Sequence, residues 1–103
     1  MSITYAHEKL TQAIYGLATG AGRIQERLHQ AYMAMHTLKR DDLPDGNMRR
    51  KLAGVMDDLT YQPAKGHEGQ ITATLAITND EDAREIARRI VDLFLEVRDL
   101  DKK

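Results

Sequence analysis

The chain has 103 residues, of which 42% are hydrophobic, 30% charged and 5% aromatic, with seven Gly and two Pro. That is enough chain for one domain, too apolar for a disordered segment and too poor in breakers for a loop-rich one. Fifteen Lys and Arg against 16 Asp and Glu leave a formal charge of -1, so no global field draws nucleic acid or an anionic membrane. The absence of cysteine excludes disulfides, thiolate nucleophiles, zinc ribbons and iron–sulfur clusters, and leaves packing as the source of stability.

No basic cluster followed by an apolar run opens the sequence, so a cytoplasmic location is the expectation. The longest stretch without Asp, Glu, Lys or Arg runs from Leu10 to Gly22 and contains three Gly, well short of the roughly 20 apolar residues that span a bilayer.

Ile3, Ala6, Leu10, Ala13, Ile14 and Leu17 recur at steps of three and four, which predicts a helix over about 3–18 with one buried stripe. Gly20 and Gly22 follow, and Gly20 suits the left-handed turn that ends many helices. A second stripe, Ile24, Leu28, Ala31, Met35 and Leu38, predicts a helix over about 22–39. Ile3, Leu10, Leu17, Ile24, Ala31 and Leu38 also keep a seven-residue spacing straight through the glycines, as one long helix would. Each interior Gly costs up to about 1 kcal/mol relative to Ala, which favours a hairpin. A single long helix would need a second chain to cover its stripe.

Asp41 to Asn47 is a cluster of turn formers in which Asp45 or Asn47 can cap a third helix. Met48, Leu52, Val55, Met56 and Leu59 give that helix its stripe over about 46–60, ended by Gln62-Pro63. Residues 63–67 read as a loop. In 70–78, Ile71, Ala73, Leu75 and Ile77 alternate with threonines as in a strand. A lone strand would leave its backbone groups without ladder partners, so a short helix within 67–77 is preferred and an intermolecular strand pair is the alternative. Thr78 with Glu81 fits a capping box, and Asp80, Glu81 and Asp82 load a first turn with favourable negative charge. The broad face from Ala83 to Leu100 then predicts a helix over about 80–100. The fold expected is all-α: a single domain, 1–103, built as a small antiparallel bundle of four main helices with a short fifth segment at 67–77.

Ala6, Ala13 and Gly20 recur every seven residues beside the first stripe, with Gly16 four before Gly20. Small residues let backbones approach, so this border serves either core packing or a groove for a partner. The binding residues expected are Ala6, Leu10, Ala13, Leu17 and Gly20.

Chemistry-bearing patterns are sparse. His7-Glu8 lacks the second histidine of a zinc-protease helix, because Thr11 stands four residues on. His29 and His36 are separated by about 10 Å of helix, too far for one metal ion. Asp41 to Leu52 matches a calcium loop at Asp41, Asp45 and Gly46, but the twelfth position is Leu52 instead of a bidentate carboxylate. No strand–glycine-loop or Gly-Lys-Ser/Thr motif is present. Asp41-Asp42 and Asp57-Asp58 are adjacent pairs that a helix would point about 100° apart, which builds no acid–base dyad. Met35, Met48 and Met56 suit core filling better than an adaptable groove. Arg49, Arg50, Lys51 and Arg84, Arg88, Arg89 could form local basic patches, but Glu81, Glu85 and Asp92 lie within pairing distance along the helix, so nucleic-acid binding is not expected.

Arg23 and His29, with five residues between them, resemble the Arg and His pair of HEPN-type ribonucleases, which are also small helical bundles. The resemblance covers those two residues. The residue after the arginine, usually polar in that family, is Ile24 here. It implies a dimeric ribonuclease of toxin or defence type, with Arg23 and His29 acting on the ribose hydroxyl and the phosphate across the dimer. The main expectation is a non-enzymatic protein-interaction module without cofactor or metal, binding a protein partner or forming a homodimer.

Overall fold

The apolar stripe that opens the chain winds into α1 (Ile3–Thr19), burying Ala6, Leu10, Ala13 and Leu17. In the computed structural model, which describes residues 3–64 and 69–102, α1 ends where the glycines begin. The Gly20 N–H donates to the Gly16 carbonyl at 2.9 Å, and the chain turns away through Gly22, whose φ of 92° lies in the left-handed region that Gly enters without steric cost. The left-handed residue is thus Gly22 and not Gly20. What Gly20 supplies is closeness: a Cβ there would lie 2.5 Å from the Gly16 carbonyl oxygen and 2.8 Å from Gln30 Oε1.

The second helix, α2 (Ile24–Met35), starts where the Arg23 N–H donates to the Glu26 carboxylate at 3.1 Å. The seven-residue spacing is therefore interrupted, and residues 3–39 form a hairpin. The helix stops at Met35, short of the expected 39, because Leu38 and Leu43 must both turn inward. They do so around a 3-10 turn, Arg40–Asp42, where Asp42 accepts from the Lys39 N–H at 2.9 Å.

Asp45 caps α3 (Gly46–Leu59), accepting from the Met48 N–H at 2.8 Å. Residues 65–68, which carry part of the expected 63–67 loop and the start of the 67–77 segment, lie outside the described residues. The ambiguous stretch is α4 (Gln70–Ala76). Ala73, Thr74 and Leu75 are buried in succession, which an alternating strand with one covered face does not achieve, whereas a short helix wedged between α2 and α3 does.

Asn79 caps α5 (Asp80–Asp101), its side-chain oxygen accepting from the Asp82 N–H at 2.7 Å. The expected Thr78–Glu81 box does not form, because the Thr78 hydroxyl donates back to the Thr74 carbonyl at 2.7 Å. With 22 residues, α5 is the scaffold, packing against α1, α2 and α3. Its fully buried Ile90, Leu93 and Val97 join Leu10, Leu28, Met35, Leu43 and Leu59 in one core. Burying each such side chain stabilises the fold by about 1.5–3 kcal/mol.

The start of α1 is tied to the end of α5. His7 Nδ1 donates to Asp101 Oδ2 at 2.8 Å and the Thr4 hydroxyl donates to Asp101 Oδ1 at 2.9 Å, so α1 and α5 run antiparallel. The radius of gyration, 13.2 Å, is close to the roughly 13 Å of a compact chain of this length. The architecture is all-α, with five α-helices and no strand among the described residues, none of them long and apolar enough to cross a membrane.

Candidate functional site

Of the five residues expected to bind a partner, Ala6, Leu10, Ala13 and Leu17 are buried within the chain and Gly20 is partly buried. Ala6, Leu10 and Ala13 are 0% exposed and Leu17 is 8% exposed. The shallow groove they make with Gly16 and Gly20 is filled by α2: a Cβ on Gly16 would meet Gln30 Cβ at 3.4 Å, and Arg27 reaches over to donate to the Leu17 carbonyl at 3.0 Å.

The remaining patterns are similarly occupied or dispersed. Arg23 donates to Asp80 at 3.1 Å, while His29 lies further along α2 by about 9 Å and about a third of a turn out of phase, so the two do not converge within one chain. Arg49 donates to the Leu43 carbonyl at 2.8 Å and Lys51 pairs with Glu96. Among the described residues no three His, Asp or Glu side chains gather as a metal site.

The surface that stands out is the corner where the C-terminal end of α3, the α4–α5 turn and the start of α5 meet. A depression of about 290 Å³ opens there. Tyr61, just past α3, and Ile77, just past α4, flank it, and they are 58% and 59% exposed. Ile86 and Thr78 line it as well, with Asp58, Asp82, Glu85 and Arg89. Three carboxylates thus face one guanidinium, which is already engaged by Asp58 at 2.6 Å.

Local hydrogen bonds hold this corner in shape. The Gln62 N–H donates to the Thr74 hydroxyl at 3.0 Å, fixing the chain beyond Tyr61 to α4. From α2, Gln25 Nε2 donates to the Thr78 carbonyl and to Asp80 Oδ1, both at 2.9 Å, which fixes the turn after Ile77. The Gln25 hydrogen bond, followed by the bond from Arg23, holds the Asp80 carboxyl below its ordinary pKa. Arg89 spans from α5 to Asp58 over Gly54, where a Cβ would come within 3.2 Å of its Nη2.

Chemically, the depression is suited to contact. Among the described lining residues there is no histidine, and the Thr78 hydroxyl proton is committed to the Thr74 carbonyl. Its apolar flanks and acidic rim fit a side chain that combines a hydrocarbon body with a positive charge.

Sequence reasoning missed Tyr61 and Ile77. The signal for Ile77 was present: once 70–76 is helical, Ile71 and Leu75 share a face and Ile77 falls off it. Comparison with protein-family profiles, curated proteins and solved structures finds no match to this chain.

Proposed function

We propose that the protein is a non-enzymatic interaction module that docks a basic, apolar segment of a partner protein at the α3–α4–α5 corner. The carrying observation is that Tyr61 and Ile77, each more than half exposed, flank a depression in which, among the described residues, three carboxylates stand against one guanidinium. Exposed tyrosine beside an aliphatic anchor supplies contact area at low entropic cost, and the rim selects for positive charge. Charge complementarity is what favours a basic partner segment over a second copy of this acidic corner.

The test is a titration of isotopically labelled protein with a synthetic peptide of about ten residues carrying Leu between Arg residues, followed by amide chemical shifts. Shifts should cluster at Asp58, Tyr61, Ile77, Glu85 and Arg89, and Ile77→Asp should abolish them. Shifts elsewhere, no shifts, or a dimer by light scattering that Ile77→Asp dissolves would refute the assignment.

A further inference from the structure

The outer surface of α5 is divided by charge. Along one line, at steps of three and four, stand Arg84, Arg88, Val91, Leu95, Arg98 and Lys102; its ionisable groups are basic from Arg84 onward, and the same steps backward reach the acidic first turn at Asp80 and Glu81. The neighbouring line carries Glu81, Glu85, Asp92, Glu96 and Asp99. The acidic line faces α3, since Glu96 pairs with Lys51 there, and the groove at Asp82 and Glu85 lies on that flank. The basic line lies on the α1 flank, since Phe94 and Asp101 just inside it contact His7.

Pairing within the helix accounts for part of this pattern. Arg88 pairs with Glu85 at 2.5 Å and Arg98 with Asp99 at 3.1 Å, but such exposed pairs are worth about 0–1 kcal/mol and leave the guanidiniums open to redirection. Pairing does not explain Val91 and Leu95, one turn apart at the centre of the line and each 38% exposed. Nor does it explain the extension of the line at its N-terminal end. Arg84 makes no ion pair among the described residues; it lines one depression, of about 360 Å³, with Arg23, Arg27, Ile24 and Asp80, and on its other side a second one with Arg88, Glu81, Asp82 and Glu85. Among the described residues, the Arg27 guanidinium donates to the Leu17 carbonyl and makes no ion pair.

We infer that this stripe is a second docking surface, independent of the corner groove, for an acidic amphipathic helix of a partner protein. From Arg84 to Lys102 it runs about 27 Å, which a partner helix of about 18 residues would match. Two apolar residues of that helix, four apart, would cover Val91 and Leu95, and carboxylates at its ends would meet Arg23, Arg27 and Arg84 on one side and Arg98 and Lys102 on the other. A protein helix fits better than nucleic acid or lipid. A phosphate backbone offers nothing to two aliphatic side chains in mid-stripe, and the acidic line alongside repels any broad polyanion or anionic bilayer.

The probe is a fluorescein-labelled, helix-forming peptide of about 18 residues with Leu four apart at its centre and Glu toward both ends, read by anisotropy against the full chain. Binding should weaken with added salt. It should fall by about tenfold or more in Arg84→Glu/Arg88→Glu and by several-fold in Val91→Ser/Leu95→Ser, and it should be unchanged in Ile77→Asp. Arg84→Gln/Arg88→Gln, which adds no repulsion along the helix, guards against loss of fold and should show an intermediate loss, with circular dichroism unchanged. Three results would overturn the inference: no binding of the peptide, binding indifferent to the arginines, or tighter binding of a 20-base-pair DNA duplex or phosphatidylserine vesicles that ignores Val91 and Leu95.

Discussion

Along the α1–α2 hairpin, Ala6, Leu10 and Ala13 expose nothing and the glycines bring the two helices within Cβ contact. At the α3–α4–α5 corner, Tyr61 and Ile77 keep more than half their surface in solvent around an acidic depression. Both regions are rich in features that read as binding surface. The hairpin uses its features internally, because the turn at Gly20 to Gly22 folds α2 back onto the very border that the small residues create. At the corner, α4 is only seven residues long and its helical phase directs Ile77 away from the face that buries Ile71 and Leu75. A small residue every seventh position is thus a statement about close packing, and only the chain's turns decide whether the neighbour is its own helix or another molecule.

The sharpest way to break this comparison is truncation on each side. Leu10→Ala should cost about 2–5 kcal/mol, as buried leucines do, whereas Ile77→Ala should change stability by no more than about 0.5 kcal/mol. Urea denaturation measures both, and equal losses would erase the distinction. Next in size is Gly20→Ala, whose new methyl must displace the Gly16 carbonyl or Gln30. The loss expected is about 1–3 kcal/mol, while dimer formation, if light scattering detects any, should be unaffected at matched fractions folded.

A smaller effect sharpens the other side. Gln25→Ala removes the two hydrogen bonds that hold Thr78 and Asp80, and a loss of about 1–2 kcal/mol is expected. Amide exchange should rise in 77–80 but not in the hairpin turn, and uniform loosening would show that the corner is not locally braced.

The least effect concerns acid. The Asp101 carboxyl is held below its ordinary value by His7 first and Thr4 second. A carboxyl whose folded pKa is depressed contributes stability that is complete above its unfolded pKa, about 3.9, and is lost as pH falls through the folded value. Asp101→Asn should therefore flatten the dependence of Tm on pH below about 4, and an acid limb as steep as the parent's would contradict this.

The sequence made most of the fold legible where periodicity and caps agreed. The stripes of α1, α3 and α5, the Asp45 cap and the acidic first turn of α5 all appear where residue spacing puts them. It was least informative where two local solutions were equally good. Both Gly20 and Gly22 can turn left-handed, and the tie is decided by the contact of Gly20 with Gln30, a residue of the next helix. The spacing points to Thr78 as the cap of α5, but its hydroxyl is withdrawn by the Thr74 carbonyl one turn earlier and Asn79 caps instead. The candidate groove was illegible for a related reason, since Asp58, Ile77 and Glu85 share a surface only through the packing of three helices, whereas the α5 stripe was written in one helix and needed only to be known as exposed.

Because the chain has no cysteine, single thiols report on its surfaces cleanly, and their labelling rates put the contrast between the two regions to the most direct test. Ile77→Cys should react with a thiol reagent nearly as fast as an unfolded peptide and be shielded by the Arg–Leu peptide. Ala13→Cys should react only through unfolding, on the order of a thousandfold more slowly, and be indifferent to that peptide. Rapid labelling at 13, or a thiol at 77 that the peptide leaves fully reactive, would contradict the placement of the docking surface at the α3–α4–α5 corner.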